Sequence, residues 1–145
     1  MPGKDFVEIT GSGLAQEGVA GTKKMIDGLV KAGGGVFFID EAYQLVSPNN
    51  SGGRNVLDFI LAEIEEQRGT IAFILAGYMN EMEKFFEHNP GFGIRMPQRL
   101  HFADYTDDEL LTMLSSTVEQ KYSGRAKLAD GANGIYARIL LKRLG

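Results

Sequence analysis

The chain has 145 residues, about the length of one domain, and 43% of them are hydrophobic, which is ordinary for a folded core. Its formal net charge of −4 argues against nucleic acid or an anionic membrane surface as the main partner. The absence of cysteine excludes disulfides and thiolate metal sites, and it fits an intracellular, cytoplasmic protein. No apolar run approaches the roughly 18 residues of a membrane span.

The first third of the sequence predicts a strand, a loop and a helix. Met1–Lys4 has the character of a tag or added terminus, and Asp5–Thr10 alternates as a short strand does. Gly11–Gly21 is rich in glycine and small residues, which favours a loop. Thr22–Ala32 carries apolar residues at the spacing of one helical face, so we expect a helix there.

A continuous apolar run, Val36–Ile39, ends at two adjacent carboxylates, Asp40 and Glu41. A short run without alternation, preceded by glycines, is typical of a parallel strand buried on both faces. Ligands of open α/β sheets bind beyond the carboxyl ends of the strands, where these acids fall. The pattern resembles a Walker B strand, in which Asp40 would associate with Mg²⁺ on a nucleotide and Glu41 would orient or deprotonate water. The alternative is a core strand whose aspartate caps the next turn.

The middle of the chain continues the alternation of strands and helices. Leu45–Arg54 contains Pro, Asn, Ser and Gly and predicts a surface loop. Asn55–Gln67 has a clear apolar stripe and predicts a helix. Thr70–Ala76 is a second continuous apolar run, again expected to be a strand buried on both faces. A short helix is expected from Asn80 to about Glu87, with Asn80 as its cap.

The last third changes from mixed to helical character. Asn89–Gly93 reads as a turn and Gln98–Phe102 as a third short strand. Thr106–Glu109 is a capping box that opens a helix, and Asp130–Leu144 predicts a final helix. We therefore expect a boundary near Tyr105.

Several linked motifs together resemble one family. They follow in order as Ile39-Asp-Glu-Ala-Tyr43, Ile74-Leu-Ala-Gly-Tyr78, Met82-Glu-Lys-Phe-Phe86, Asn89-Pro-Gly-Phe92, Arg95 and Phe102–Leu110. The chain resembles the branch of AAA+ ATPases that contains the red-type rubisco activase and the stage V sporulation protein K, and especially fungal members with several such domains. The likeness covers about Phe6 to Leu144. It implies a parallel α/β core over residues 5–105, with helices on both faces and the first strand missing, followed by the start of a helical lid over residues 106–145.

The resemblance assigns roles to particular residues. Asp40 would associate with Mg²⁺, Glu41 would be the catalytic base, and either Tyr78 or Asn80 would sense the γ-phosphate. Arg95 matches the arginine finger that reaches the nucleotide of a neighbouring subunit.

Two features depart from the family. The family often has a second arginine two positions before the finger, where this chain has Gly93, so Arg99 is the fallback candidate. Gly11–Gly21 occupies the position of the central-pore loop but has no aromatic residue to grip a peptide.

No phosphate loop of the form Gly-x-x-x-x-Gly-Lys-Ser/Thr occurs, and the nearest segment, Gly18–Lys23, has its lysine after the threonine. In the family this loop and its strand precede Phe6, so we expect the chain to begin after them. The missing strand would lie between Gln98–Phe102 and Thr70–Ala76. We expect the chain to close this gap, to fill it from a partner, or to be marginally stable.

Two functions remain open at this point. The first is part of a Mg²⁺-dependent ATPase that hydrolyses ATP between subunits of a ring, hexameric in the full protein, to remodel a protein partner, the isolated chain being inactive. The alternative is a non-catalytic module that contributes an assembly surface or Arg95 to active subunits. A carboxylate metal hydrolase is disfavoured, because no further acid or histidine follows a neighbouring strand.

Overall fold

The computed structural model describes residues 5–48, 50, 52–123, 134 and 139. The chain divides into two compact units, Met1–Leu100 and His101–Gly145. The expected terminal extension Met1–Lys4 lies outside the described residues, as does nearly all of the final helix expected over Asp130–Leu144. The elements in chain order are β1 (Asp5–Thr10), α1 (Gly11–Lys31), β2 (Gly35–Asp40), a 3₁₀ helix (Ala42–Val46), α2 (Gly53–Glu66), β3 (Ile71–Leu75), α3 (Met79–His88), α4 (Pro90–Arg95) and α5 (Asp107–Tyr122).

The first unit is built on a three-stranded parallel sheet in the order β1-β2-β3. Thr10 lies opposite Asp40 in the register of β1 and β2, and Ile39 lies opposite Leu75 in that of β2 and β3. Each pair of neighbouring strands is joined through a helix, as parallel pairing requires. The predicted α/β class with a parallel sheet is confirmed.

The strands are buried on one face rather than on both. Along β2, Phe37 and Ile39 are fully buried, whereas Phe38 between them is half-buried. The same outer face carries Phe6 and Ile74, which are 58% and 43% exposed. The strand order advances in one direction, so two right-handed crossovers place α1 and α2 on the same face. The two helices accordingly pack on each other, and the predicted burial of both faces is wrong for the described part of this unit.

The segment predicted as a loop, Gly11–Gly21, is helical and forms the first half of α1. Thr10 supplies the N-cap, since its Oγ1 accepts the Gly13 N–H at 3.1 Å, and Leu14 is fully buried. Gly18, at φ 66°, kinks α1 into two helical stretches. A good cap and tertiary burial outweigh the poor helix propensity of the glycines here.

Two further expectations fail in the region between residues 89 and 102. The predicted turn Asn89–Gly93 is instead the N-cap and the first residues of α4, stabilised by burial of Phe92 against Phe85, whose ring centroid is 5.5 Å away. Gln98–Phe102 is not a strand. A strand needs a neighbour that pairs with its backbone, and none of the described strands pairs with this segment.

The described part of the second unit contains α5. Its predicted capping box is confirmed: the Glu109 N–H bonds to the Thr106 hydroxyl oxygen, and the Glu109 carboxylate accepts the Thr106 N–H at 2.8 Å. None of the helices in the described ranges is both long enough and apolar enough to cross a membrane.

One-sided burial of the sheet predicts unequal effects of two neighbouring substitutions. Phe37→Ala should lower the free energy of unfolding by about 3–5 kcal/mol, because it leaves a cavity in the core. Phe38→Ala should cost only about 1 kcal/mol, since its side chain is already half-exposed. Urea unfolding followed by circular dichroism measures both. Equal losses would contradict a sheet that is packed on one face.

The capping box predicts an acid-sensitive start of α5. The backbone N–H and then the hydroxyl of Thr106 hold the pKa of Glu109 below its usual 4.5. Stabilisation from this lowered pKa is present above pH 4.5 and is lost as the pH falls through the folded-state pKa. NMR chemical shifts of the first turn of α5 should move toward coil values at low pH. Glu109→Gln, which cannot ionise, should remove the Glu109 part of this response, and an unchanged response would contradict the assignment.

Candidate functional site

The carboxyl ends of the three parallel strands meet at one edge of the sheet. Asp40 ends β2 opposite Thr10, the last residue of β1. The chain after β2 is tied to the chain after β3, because Ala42 N–H donates to the Ala76 carbonyl at 3.0 Å. The Ala76 N–H in turn donates to the Ile39 carbonyl at 2.9 Å. These bonds fix the acidic pair beside the loop that follows β3.

Asp40 is half-buried at the tip of β2. Its Oδ1 accepts the Glu41 N–H at 2.9 Å, so this carboxylate does cap the following turn, as the structural alternative expected. Capping uses one of the acceptor positions of a carboxylate that has about four. The residue can therefore cap the turn and also accept a cation.

Glu41 has an unusual backbone conformation, with φ 48° and ψ 45° in the left-handed region. Residues other than glycine and asparagine rarely adopt this backbone conformation, and it persists only where the surrounding structure enforces it. Gly11 lies directly against the carbonyl of Glu41, since a Cβ at Gly11 would come within 2.6 Å of that oxygen. The first helix therefore touches the acidic turn through a position that only glycine fits.

Both oxygens of the Glu41 carboxylate accept hydrogen bonds. The Tyr43 hydroxyl donates to Oε1 at 3.3 Å, and the side-chain amide of Gln44 donates to Oε2. Burial, followed by the negative charge of Glu41, raises the pKa of Tyr43 above its usual 10.0, so its hydroxyl stays protonated to a higher pH than that of a free tyrosine. Sequence reasoning assigned neither Tyr43 nor Gln44 a contact with the acidic pair. The signal available in the sequence for such a contact was the position of both residues directly after the acidic pair.

The predicted sensor candidates both lie just after β3. Tyr78 is 71% exposed, and its ring centroid lies 6.4 Å from that of Tyr43. Asn80 is exposed within α3, whose N-cap residue is Tyr78, so the expectation that Asn80 caps this helix is wrong. The structure brings Tyr78 next to the Tyr43 ring that contacts the acidic turn. It shows no such connection for Asn80 among the described residues.

The two candidate finger arginines are held by their own unit. Arg95, the last residue of α4, places its Nε 2.8 Å from Glu65 Oε1 on α2, an ion pair without hydrogen-bond alignment. Its Nη1 also reaches the Gly91 carbonyl at 3.4 Å. Arg99 lies over the Phe86 ring, 4.9 Å from the ring centroid.

The donor set at the edge fits a magnesium ion that is carried on a nucleotide. No cluster of three or more acidic, histidine or cysteine side chains suited to a metal occurs among the described residues. Mg²⁺ on a nucleotide needs only one or two protein carboxylates, because phosphates and waters complete its octahedron. Asp40 meets that requirement, with Glu41 beside it.

Comparison with known proteins agrees with this architecture. Residues 2–103 match the family model described as ATPase family associated with various cellular activities (AAA). Protein CfxQ of Xanthobacter flavus is 41% identical over 106 residues, covering 70% of this chain and 33% of the relative. Protein CbbX of Cereibacter sphaeroides is 40% identical over 95 residues, covering 64% of this chain and 31% of the relative. A CfxQ homolog of Galdieria sulphuraria is 42% identical over 97 residues, covering 65% and 32%.

The chain thus spans about a third of the length of these curated relatives. The family match, in contrast, covers well over half of the chain, and it includes the whole parallel sheet and the acidic turn. The chain therefore belongs to the AAA family of ATPases, in the branch that contains the CfxQ and CbbX proteins.

Proposed function

We propose that this chain is the part of a Mg²⁺-dependent ATPase domain that carries the hydrolytic acids, and that it works between subunits of a hexameric ring to remodel a protein partner. One observation carries the proposal: two adjacent acids lie at the end of the central strand of a parallel sheet. Backbone hydrogen bonds join the residues on either side of these acids to Ala76, which follows β3. The edge where strands end is the usual ligand site of such sheets.

In this proposal the two acids divide the chemistry. Asp40 holds Mg²⁺, which when bound neutralises phosphate charge. Glu41 accepts a proton from the attacking water, a role that suits a carboxylate kept in one orientation by neighbouring donors. Tyr78 and Asn80 are the polar side chains after β3 that would contact the terminal phosphate. Tyr78 is the better supported, since its ring contacts that of Tyr43.

Arg95 acts in trans in this proposal, by stabilising negative charge on the nucleotide of the neighbouring subunit. Its ion pair with Glu65 joins a half-buried side chain to an exposed one, 30% and 53% exposed. Solvent screens a partly exposed pair, which contributes on the order of 1 kcal/mol, so its release costs little. The pair would keep the guanidinium ordered on α4 until a neighbour binds it.

The first experiment replaces the proposed base. Glu41→Gln in the full-length protein should lower ATP turnover by roughly 10²-fold or more while nucleotide binding is kept, because the amide cannot accept a proton. Steady-state turnover and nucleotide titration with and without Mg²⁺ measure the two properties. Glu66→Gln, the same change at an exposed position of α2, is the matched control and should have no effect. Unchanged turnover in Glu41→Gln would refute the catalytic role and favour a non-catalytic module.

A second experiment tests sharing of the site between subunits. Arg95→Ala and Glu41→Gln should each reduce turnover to a small residual rate, yet mixed rings should recover part of the lost activity. In random mixtures about a quarter of the head-to-tail interfaces would combine an intact Glu41 with an intact Arg95. Arg68→Ala, which removes an exposed arginine, serves as the control. Full turnover by Arg95→Ala alone, or no recovery on mixing, would exclude a finger in trans.

A further inference from the structure

The carboxylate of Glu41 is held by a short, well-anchored turn of the same chain. Its two donors, Tyr43 and Gln44, lie in the 3₁₀ helix that directly follows the acidic pair. The apolar residues of that helix, Ala42 and Leu45, are fully buried in the core. Gly53, the first residue of α2, packs so closely on the Leu45 carbonyl that a side chain there would clash. The two donors therefore belong to a turn whose backbone is anchored in the core.

Gln44 is fixed by its backbone as well as by its position. Its N–H donates to the Glu41 carbonyl at 2.9 Å, and its own carbonyl accepts from the Asn50 side chain at 2.7 Å. These two bonds fix the backbone of Gln44, and from this fixed backbone its side-chain amide reaches the Glu41 carboxylate.

Tyr43 connects the turn with the loop after β3. Its ring lies against Gly77, where an added Cβ would come within 2.9 Å of the ring, and against the Tyr78 ring at 6.4 Å. Its hydroxyl, at the far end of the ring, reaches Glu41 Oε1. The hydroxyl position is therefore set by packing that does not depend on the hydrogen bond itself.

The donors leave acceptor capacity on the carboxylate. An ionised carboxylate has about four acceptor positions, and these two bonds occupy one on each oxygen. Each oxygen can still accept a proton from water. The left-handed backbone of Glu41 is itself a cost that persists only where neighbours impose it.

We propose that Tyr43 and Gln44 are positioning residues, which orient the Glu41 carboxylate so that it can accept a proton from the attacking water. The proposal rests on the hydrolytic function proposed above, and it adds two residues that act through Glu41 without touching the substrate. Both bonds form within one turn that buried residues anchor in the core, so the orientation of the carboxylate does not depend on a bound ligand.

The first test needs no nucleotide. The near-ultraviolet absorbance of tyrosinate is titrated in the protein and in Tyr43→Phe, and the difference isolates Tyr43. Its midpoint should lie above 10.0, and Glu41→Gln should lower that midpoint by removing the part due to charge while the part due to burial remains. Circular dichroism over the same pH range reports whether the fold is intact. A midpoint unaffected by Glu41→Gln would overturn the contact.

The second test measures turnover in the full-length protein. Tyr43→Phe and Gln44→Met should each lower kcat by about tenfold with KM unchanged, the size expected when one hydrogen bond to a charged group is lost. Two matched controls should keep kcat. Tyr105→Phe removes an exposed hydroxyl, and Gln67→Met removes the same kind of amide-to-carboxylate bond, 3.1 Å to Glu63, at the C-terminal end of α2.

Double variants separate positioning from general damage. In the Glu41→Gln background, Tyr43→Phe should have no further effect on kcat, because it acts only through the missing carboxylate. An additional loss there, or unchanged kcat in both single variants while Glu41→Gln is inactive, would overturn the positioning role and leave the proposed function intact. Normal turnover in Glu41→Gln would instead refute the proposed function. Tyr43→Phe removes a single oxygen and keeps the ring packing, so it remains informative even if Gln44→Met fails to fold.

Discussion

The parallel pairing of β2 with both of its neighbours is the constraint on which the candidate site depends. Because side chains alternate between the faces of a strand, a slip of one residue would turn Asp40 to the opposite face and bury the wrong half of β2. The observed register instead buries Phe37 and Ile39 and brings Asp40 level with Thr10. The backbone bonds between the chain after β2 and Ala76 then hold the acidic turn in place.

The same topology explains why the sheet has one packed face. Two crossovers that advance in the same direction deliver α1 and α2 to one side, where they enclose the core. The opposite side keeps Phe6 stacked on Phe38, with ring centroids 6.2 Å apart, in a partly exposed apolar strip. An apolar face of this kind costs free energy in water. The packed face, with its helices, is the side that supports the acidic turn.

The chemistry of the site is concentrated in a turn of few residues. Glu41 takes a left-handed conformation, and the 3₁₀ helix after it places two donors on its carboxylate. A strained backbone conformation persists where buried neighbours hold the chain in place. Here Leu45 is fully buried and Gly53 packs closely on its carbonyl, which provides that support. Arg95, at the end of α4, takes no part in this turn and is paired with Glu65 of α2.

The sequence by itself determined the elements whose signals are local. The apolar run ending at Asp40 and Glu41, the striped helix α2 and the capping box at Thr106 depend on the order of residues in one segment, and all three are present. Tertiary structure alone decided the helical state of Gly11–Gly21, the start of α4 at Pro90, the lack of a strand at Gln98–Phe102, and the contacts of Tyr43 and Gln44 with Glu41. Each of these outcomes requires a partner brought from elsewhere or a backbone turn fixed by buried neighbours, and neither appears in the periodicity of a single segment.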